Sequence, residues 1–409
     1  MKIKRIYVEN VQAFKQLEYF PEDNINLLLG ENGSGKSSFV EIFDLLTMIY
    51  NKDSMSKQLL KSKDTEIISE LRTVFSLYDN YSTIGDEDDI KIDIDFELNK
   101  KNGSYAIHIN KDNEICYESM DYALNSRKAN IYKRFSSNEV ITNYNSIKNA
   151  ILKYDLALTS SVVSHIDFLS DLDIIAKGSS EIQFINAMAD SITAHHQYHK
   201  NSFHMERLGV IQSNIKIDSS VLENFKDMVE DKLLPLFREF VYQIDSNVID
   251  VIYKRTYLEN EDKYEMELYF TKLLGGKELD VPFSKESTGT QKYLDYFNFI
   301  HHAKINDSVF IWDEFGAYLH DNLARKVFDY TCKIMKQYDR QMFVTTHNIY
   351  FIDSKVLTNK EKQLIENIDG QRKIRNLAGI DNKDKISKRY LEGYYGAIPS
   401  LSDIWEENE

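Results

Sequence analysis

The stretch Gly30-Glu31-Asn32-Gly33-Ser34-Gly35-Lys36-Ser37 decides the fold of this chain. It fits the pattern G-x-x-x-x-G-K-[ST], in which glycines let backbone N–H groups turn inward onto phosphate oxygens. The apolar run over 24–29 predicts a buried strand before it, and residues 38–50 are apolar at helical spacing after it. A strand, a glycine loop and a helix N-terminus together form an anion site, so the sequence predicts a P-loop.

The P-loop predicts ATP and Mg²⁺ as ligands. Lys36 is expected to reach the β- and γ-phosphates, and the Ser37 hydroxyl is expected to ligate Mg²⁺. The residues expected to contact the nucleotide are Gly30, Asn32, Gly33, Ser34, Gly35, Lys36, Ser37 and Ser38.

The composition is that of an ordinary globular protein: 409 residues, 42% hydrophobic and 28% charged. Its two cysteines, Cys116 and Cys332, exclude a disulfide framework. No stretch approaches 18 uninterrupted apolar residues, and the N-terminus leads into a strand rather than a signal peptide, so we expect a cytoplasmic protein without membrane contact. The net charge of −15 works against non-specific nucleic-acid binding over the whole surface.

Alternating and periodic patterns predict the remaining elements. Residues 90–98 alternate strictly and predict a half-exposed strand, followed by a hairpin turn at Asn102-Gly103. The pattern then becomes mostly helical from about 120 to 240. Its best helix covers Val221–Phe240, with a break or kink near Pro235. Strands are expected again at 248–253, 264–270 and 278–281.

The run Val309–Glu314 is an apolar strand that ends in two carboxylates. Beside a P-loop, Asp313 would hold Mg²⁺ through water, and Glu314 would polarise the water that attacks the γ-phosphate. The alternative is a strand end followed by a helix-capping acid. The upstream P-loop favours the functional interpretation.

A second short apolar strand, Gln341–Thr345, leads to Thr346 and His347. The segment between the two strands has room for one crossover helix at 321–338, which is the geometry of a βαβ unit in a parallel sheet. His347 would then emerge at the same sheet edge as Asp313, where a neutral imidazole can hydrogen-bond the γ-phosphate or the attacking water. The alternative is an ordinary strand-end histidine.

Ser287 and Gly289 precede another apolar-periodic helix. A Ser–Gly pair at a helix N-terminus can form a second anion site. Taken alone, the pair is better explained as a simple N-cap.

The order of these motifs resembles the head of an ABC-type ATPase. Ser287–Gln291 resembles the signature motif, although Thr288 and Thr290 depart from the usual Leu-Ser-Gly-Gly-Gln, and His347 resembles the switch histidine. Residues 315–320 resemble the D-loop region, with Asp321 in place of the usual proline. We assign no glutamine-loop residue.

The resemblance implies an α/β fold: a P-loop NTPase with an ABC-ATPase-like head, a mixed sheet and an inserted helical subdomain. We assign residues 1–115 to an ATPase N-lobe with the P-loop, 116–245 to a helical insertion, and 246–409 to an ATPase C-lobe. The C-lobe carries the signature, the carboxylate pair, the switch histidine and a C-terminal element.

The C-terminal element, Lys388–Pro399, resembles the Tyr-Leu-x-Gly-x-x-Gly-Ala-x-Pro element of abortive-infection ATPases of the AbiL and RloA type. The ATPase subunit of the PARIS anti-phage system looks related. A Gly/Pro turn that closes a final helix is the alternative. The resemblance covers residues 1–50 and 284–400.

The family resemblance implies an ATP-sandwich homodimer or higher oligomer, in which Ser287 and Gly289 of one subunit close over the γ-phosphate at the P-loop of another. It further implies a slow ATPase switch in anti-phage defence. Its expected partners are a separate toxic effector, a TOPRIM-type nuclease, and a phage-encoded trigger protein. The alternative is a RecF- or SMC-like ATPase that binds DNA directly in repair or chromosome maintenance, which needs basic residues near the dimer cleft.

Other signals are weaker. His195, His196 and His199 have helical spacing, but no cysteine or carboxylate at metal spacing supports a zinc site. No TOPRIM-like acidic set, HNH set or nucleophile triad is found, which disfavours an intrinsic nuclease. A transporter subunit is disfavoured by the long insert and the divergent signature.

Overall fold

The computed structural model describes residues 1–59, 77–83, 88–98, 100–124, 127–135, 139–142, 211–305, 308–368, 370–379, 386–392 and 394. Backbone contacts group the chain into two compact units. The first unit comprises Met1–His196, Asp307–Phe315 and Met335–Glu409, and the second comprises Gln197–Asn306 and Gly316–Ile334.

A five-stranded mixed sheet in the first unit carries the P-loop. Its strands, in spatial order, are β13 (Val309–Trp312), β14 (Gln341–Thr345), β3 (Ile25–Leu29), β15 (Lys362–Ile368) and β16 (Gln371–Asn376). The first four are parallel, and β16 pairs antiparallel with β15. Strands β3, β13 and β14 are buried along their whole length, as their near-continuous apolar sequences predict. The predicted βαβ unit is therefore confirmed.

Helix α1 (Lys36–Leu59) starts inside the P-loop motif and packs its apolar face against this sheet. Phe39 and Phe43 both contact Phe343 of β14, with ring centroids 5.8 and 5.2 Å apart. The edge of the Phe39 ring also meets Tyr19, at 5.6 Å. These buried rings fix the start of α1, and with it the P-loop, at the end of β3.

A seven-stranded antiparallel sheet forms the other layer of the first unit. Its strands are β1 (Lys2–Val11), β2 (Phe14–Tyr19), β4 (Ile90–Leu98), β5 (Lys101–Ile109), β6 (Ile115–Leu124), β7 (Arg127–Phe135) and β8 (Val140–Ile141), in the order β2-β1-β4-β5-β6-β7-β8. β4 alternates between buried and half-buried residues, as its sequence predicts. Its buried face shares one apolar core with α1 and the P-loop sheet.

The hairpin turn predicted at Asn102-Gly103 was wrong. β5 already begins at Lys101, which pairs with Leu98, and Lys100 immediately before it adopts a left-handed φ of +61°. Gly103 lies inside the strand for a packing reason. A Cβ at this position would lie 2.6 Å from the ring of Phe96, so the aromatic ring occupies the space of a side chain.

The prediction of mostly helical structure between 120 and 240 was wrong for its first part. Strands β6, β7 and β8 extend the antiparallel sheet to residue 141, because each pairs with the strand before it. Residues 143–210 lie outside the described residues. The division at 115 and 245 stays a prediction.

The second unit contains a four-stranded antiparallel sheet formed by β9 (Asn214–Asp218), β10 (Val248–Leu258), β11 (Lys263–Leu274) and β12 (Lys277–Pro282). This confirms the strands predicted between 248 and 281. Its helices are α3 (Leu222–Phe225), α4 (Leu234–Ile244), α5 (Thr288–Ile305) and most of α6 (Asp321–Gln337).

The helix predicted at 221–240 is interrupted by a π-helical stretch, Lys226–Leu233. This stretch ends immediately before Pro235 in α4, where the missing proline N–H interrupts the helical hydrogen bonds. A π turn is wider than an α turn and changes which residues share a helix face. Val229 and Leu233 are therefore buried, whereas Met228 is 54% exposed.

Two short helices complete the first unit: α2 (Leu77–Tyr81) and α7 (Ile386–Leu391). Within the described residues, none of the helices combines the length and apolar character needed to span a membrane.

Gly103→Ala should destabilise the protein by about 1–3 kcal/mol, because Phe96 must move to accommodate the new methyl group. Gly379→Ala is the matched control, since no atom lies within 4 Å of the Cβ it would create. It should change the free energy of unfolding by less than about 0.5 kcal/mol. Urea unfolding measures both, and equal effects of the two substitutions would contradict the packing argument.

Candidate nucleotide site

The ammonium group of Lys36 is held by its own loop. Nζ donates hydrogen bonds to the carbonyl oxygens of Gly30 and Glu31, each at 2.7 Å. Burial lowers the pKa of Lys36, while the nearby carboxylates of Asp313 and Glu314 favour the charged form. The cation therefore lies where a phosphate oxygen can replace the loop carbonyls as its partner.

The loop glycines are required for two reasons, close packing at Gly30 and left-handed backbone at Gly33 and Gly35. A Cβ on Gly30 would lie 2.5 Å from the Ser34 hydroxyl and 2.7 Å from the carbonyl oxygen of Ile365. Gly33 and Gly35 have φ values of +76° and +108°, which other residues rarely adopt. Within the described part of the chain, the buried Ser34 hydroxyl has no hydrogen-bond partner. An anion entering the loop would meet this polar group and the inward-facing backbone.

A cavity of about 700 Å³ opens at the P-loop. This volume lies within the ~300–1,000 Å³ typical of small-molecule sites. The cavity is lined by Ala13, Asn32, Gly33, Gly35, Lys36, Ser37, Ser38, Glu314 and His347. It thus brings together residues from three strand ends: the loop after β3, Glu314 after β13 and His347 after β14.

Thr345, the last residue of β14, links the end of this strand to the end of β13. Its hydroxyl donates to Oδ1 of Asp313 and accepts the backbone N–H of Glu314 at 2.9 Å. The carbonyl of Thr345 accepts the N–H of Phe315 at 2.8 Å. These three contacts fix the Asp313 carboxylate and the direction of the chain that follows it.

Glu314 adopts a left-handed backbone with φ +51°. This conformation is costly for a residue with a side chain, by about 1–3 kcal/mol, and it is maintained by the hydrogen bonds from Thr345. It separates the two neighbouring carboxylates, because Asp313 is half-buried against Thr345 whereas Glu314 is exposed at the cavity. The two acids are therefore in different environments.

His347 lines the cavity close to charged side chains. Partial burial and the positive charge of Lys36 lower the pKa of His347, whereas Glu314 and Asp313 raise it. The net direction is downward, so the imidazole is neutral at pH 7. A neutral ring can accept one hydrogen bond and donate another.

The residues present fit Mg²⁺ as a cofactor. The Ser37 hydroxyl and the Asp313 carboxylate are oxygen ligands, and Mg²⁺ usually combines one or two protein oxygens with phosphate and water. No group of three or more His, Cys, Asp or Glu side chains in the described residues forms a metal site by itself. The metal would therefore depend on the nucleotide for its remaining ligands.

Ser287 and Gly289 lie in the second unit, at the start of α5. The Ser287 hydroxyl caps the helix by accepting the N–H of Thr290 at 3.2 Å. The side chain of Gln291 donates to the carbonyls of Ser284 and Glu286, each at 3.1 Å, which holds the preceding loop. In the structure Ser287 therefore acts as a helix N-cap. A role of Ser287 in nucleotide binding stays a prediction.

Gly289 is required by close packing within the second unit. A Cβ at this position would lie 2.6 Å from the backbone oxygen of Tyr318, in the segment that resembles a D-loop. The same segment is fixed by Gly316, whose N–H donates to the Tyr296 hydroxyl at 2.9 Å. The signature glycine and the D-loop-like segment therefore pack as one piece.

Sequence reasoning missed two features of the site. It gave Thr345 no role, although a threonine just before the switch histidine was visible. It also missed Ala13 in the β1–β2 turn, for which no sequence signal exists. His195, His196 and His199 lie outside the described residues, as does half of the C-terminal element.

The fold and the site define the class: a P-loop NTPase with an ABC-ATPase-like head. The chain belongs to the family described as "AAA domain, putative AbiEii toxin, Type IV TA system", whose model matches residues 25–353. That range includes the P-loop, the carboxylate pair and His347. The predicted fold class is confirmed, and the finer assignment to AbiL, RloA or PARIS proteins is not.

Two archaeal proteins named DNA double-strand break repair Rad50 ATPase share a short stretch with this chain. The Methanosarcina mazei protein is 46% identical and the Methanosarcina acetivorans protein 44% identical, each over 41 residues. Each match covers 10% of this chain but only 4% of the archaeal protein.

Among solved structures, an SMC head bound to the C-winged helix domain of ScpA is 14% identical, with a TM-score of 0.47 over 92% of this chain and 98% of that one. The Thermotoga maritima SMC head domain is 12% identical, with a TM-score of 0.41 over 92% and 99%. TM-scores below 0.5 do not establish a shared fold, so the class rests on the strand order, the P-loop and the family model.

The pKa of His347 should respond in opposite directions to two substitutions. Lys36→Met removes a nearby positive charge and should raise the pKa, whereas Glu314→Gln removes a negative charge and should lower it further. Lys111→Met, at an exposed position, is the charge-matched control and should leave the pKa of His347 unchanged. Imidazole chemical shifts followed from pH 5 to 8 measure all three, and shifts of equal sign would refute the described arrangement.

Proposed function

We propose that the protein binds and hydrolyses ATP as a slow switch in anti-phage defence. The observation that supports this most directly is the cavity in which Lys36, Glu314 and His347 face the P-loop. This set combines a phosphate-binding cation, a carboxylate for the attacking water and a neutral hydrogen-bonding imidazole.

ATP binding would begin with an exchange of partners at Lys36. Its Nζ leaves the carbonyls of Gly30 and Glu31 for the β- and γ-phosphates, while the backbone N–H groups of Gly33 to Ser38 surround the phosphate chain. Ser37 and Asp313 would hold Mg²⁺, which neutralises charge on the phosphates. Thr345 keeps the Asp313 carboxylate oriented towards that role.

Hydrolysis would depend on Glu314 and His347. Exposed at the cavity, Glu314 takes the proton of the attacking water, a role for which general-base catalysis typically contributes about 10²–10⁴-fold. His347 is neutral at pH 7 and can donate a hydrogen bond to a γ-phosphate oxygen. Lys36 stabilises the charge that develops on the leaving phosphate.

The second half of the site would come from another copy of the chain. Ser287 and Gly289 form a helix N-terminus with exposed backbone, and such an end attracts anions. Placed over the γ-phosphate of a neighbouring P-loop, it makes ATP the link between two subunits related by two-fold symmetry. Hydrolysis removes the shared phosphate and releases the pair.

The proposed biological role rests on the family and on the C-terminal element. The family description names a putative AbiEii toxin and a Type IV toxin–antitoxin system. The resemblance of residues 388–399 to abortive-infection ATPases supports the same context. In this proposal ATP binding and hydrolysis control a separate toxic effector, a TOPRIM-type nuclease, after a phage-encoded trigger is sensed.

A DNA-binding ATPase of the RecF or SMC type is the second candidate. The short match to two Rad50 ATPases favours it. The net charge of −15 opposes it, because DNA binding depends on neutralising phosphates with Lys and Arg.

Glu314→Gln should slow ATP hydrolysis at least about 100-fold while ATP binding persists, because the general base is lost. The variant should sediment as an ATP-dependent dimer, whereas Lys36→Ala should bind no nucleotide and stay monomeric. Exposed Glu278→Gln is the matched control and should behave as wild type. Wild-type turnover by Glu314→Gln would show that another group is the base.

Mixing two inactive variants tests the shared site. Lys36→Ala lacks the P-loop cation, and Ser287→Arg blocks the proposed partner surface, yet a mixed dimer contains one site without either change. Mixing should therefore restore ATP hydrolysis. A mixture that forms the mixed dimer with ATP and still does not hydrolyse it would contradict the sandwich arrangement.

Purification from infected cells separates the two candidate roles. The defence proposal predicts a stoichiometric protein partner that is retained at high salt and a loss of phage resistance with Lys36→Ala. Salt-sensitive DNA binding, with no protein partner and unchanged phage plating, would instead support the chromosome-maintenance role.

A further inference from the structure

The hairpin formed by β15 and β16 continues beyond the sheet and lies beside the P-loop. β15 pairs with β3 as far as Leu364 and Leu29, where β3 ends, and then extends to Ile368. The carbonyl oxygen of Ile365 would be 2.7 Å from a Cβ on Gly30. This close approach places the end of β15 along the P-loop.

Arg372, the second residue of β16, lies against the P-loop itself. A Cβ on Gly35 would lie 3.5 Å from Cγ of Arg372. It would also lie 3.4 Å from the Phe14 ring and 3.7 Å from the Ala13 methyl group. Ala13 and Gly35 both line the nucleotide cavity. The aliphatic part of Arg372 therefore packs against the P-loop at the border of the site.

The guanidinium of Arg372 has an unused donor. Its Nε is buried and has no hydrogen-bond partner among the residues that the structure describes, although buried polar atoms almost always have one. On the same strand, Arg375 forms a bidentate pair with Glu366, at 2.6 and 3.2 Å. The two arginines of β16 therefore differ. Arg375 is paired with Glu366, whereas Arg372, beside the P-loop, has a donor without an acceptor among the described residues.

We propose that Arg372 is a nucleotide-binding residue whose guanidinium donates a hydrogen bond to the phosphate chain of bound ATP or ADP. Phosphate is the acceptor that suits this group, because a guanidinium presents several donors to an anionic oxygen in a fixed plane. Lys36 binds the phosphates from within the loop, and Arg372 binds them from the adjacent hairpin. The inference rests on the proposed ATP-binding function.

The test compares Arg372→Met, Arg372→Lys and Lys373→Met in the full chain. Met keeps the aliphatic contact with Gly35, Lys also keeps the charge, and Lys373 is an exposed neighbour on the opposite face of β16. Calorimetric titration with Mg²⁺-ADP and with the β,γ-imido analogue of ATP provides the affinities, and thermal unfolding of the nucleotide-free proteins provides the stabilities.

Arg372→Met should lower the affinity for both nucleotides by about tenfold, because a hydrogen bond to a charged group contributes a free energy of that order. Arg372→Lys should recover part of the loss, and Lys373→Met should bind as wild type. The unfolding temperature of nucleotide-free Arg372→Met should not fall, since the lost donor has no partner there. A residue that serves only packing would show the reverse, with unchanged affinity and a lower unfolding temperature.

The outcomes separate this inference from the proposed function. If wild-type protein binds both nucleotides and Arg372→Met binds them equally well, Arg372 has no role in binding and the inference alone is wrong. If wild-type protein binds neither nucleotide, the proposed function and the inference are both wrong.

Discussion

The parallel pairing of β13 with β14 and of β14 with β3 is the constraint on which the site depends. Because all three strands run in the same direction, their carboxyl ends meet at one edge of the sheet. The P-loop, Glu314 and His347 leave the sheet there and line one cavity. A one-residue slip of β13 against β14 would separate the Thr345 hydroxyl from Asp313 and dismantle the site.

The charged side chains at this edge of the sheet are hydrogen-bonded to neutral groups rather than paired with opposite charges. Lys36 is held by two loop carbonyls instead of a carboxylate, and Asp313 is held by the Thr345 hydroxyl. Each is therefore fixed by neutral groups and can exchange them for a phosphate or a metal ion. The left-handed backbone at Glu314 is the local cost of that arrangement.

Much of this site could be predicted from the sequence, because its motifs depend on local chemistry. A P-loop and an apolar strand ending in acids are readable within eight residues. Features that depend on distant contacts were not readable. Gly103 fits a turn by its sequence, and only the contact with Phe96 explains it; likewise, nothing in the sequence places Arg372 beside Gly35. The strands β6 to β8 were missed because their neighbours in the sheet, rather than their own periodicity, stabilise them.

The most direct test of the central claim is a crystal structure with Mg²⁺ and the β,γ-imido analogue of ATP. The account predicts that Lys36 Nζ leaves Gly30 and Glu31 for the phosphates, with a metal ion between the Ser37 hydroxyl and the Asp313 carboxylate. A structure obtained under saturating analogue in which Lys36 keeps both carbonyl contacts and the cavity holds no nucleotide would contradict it.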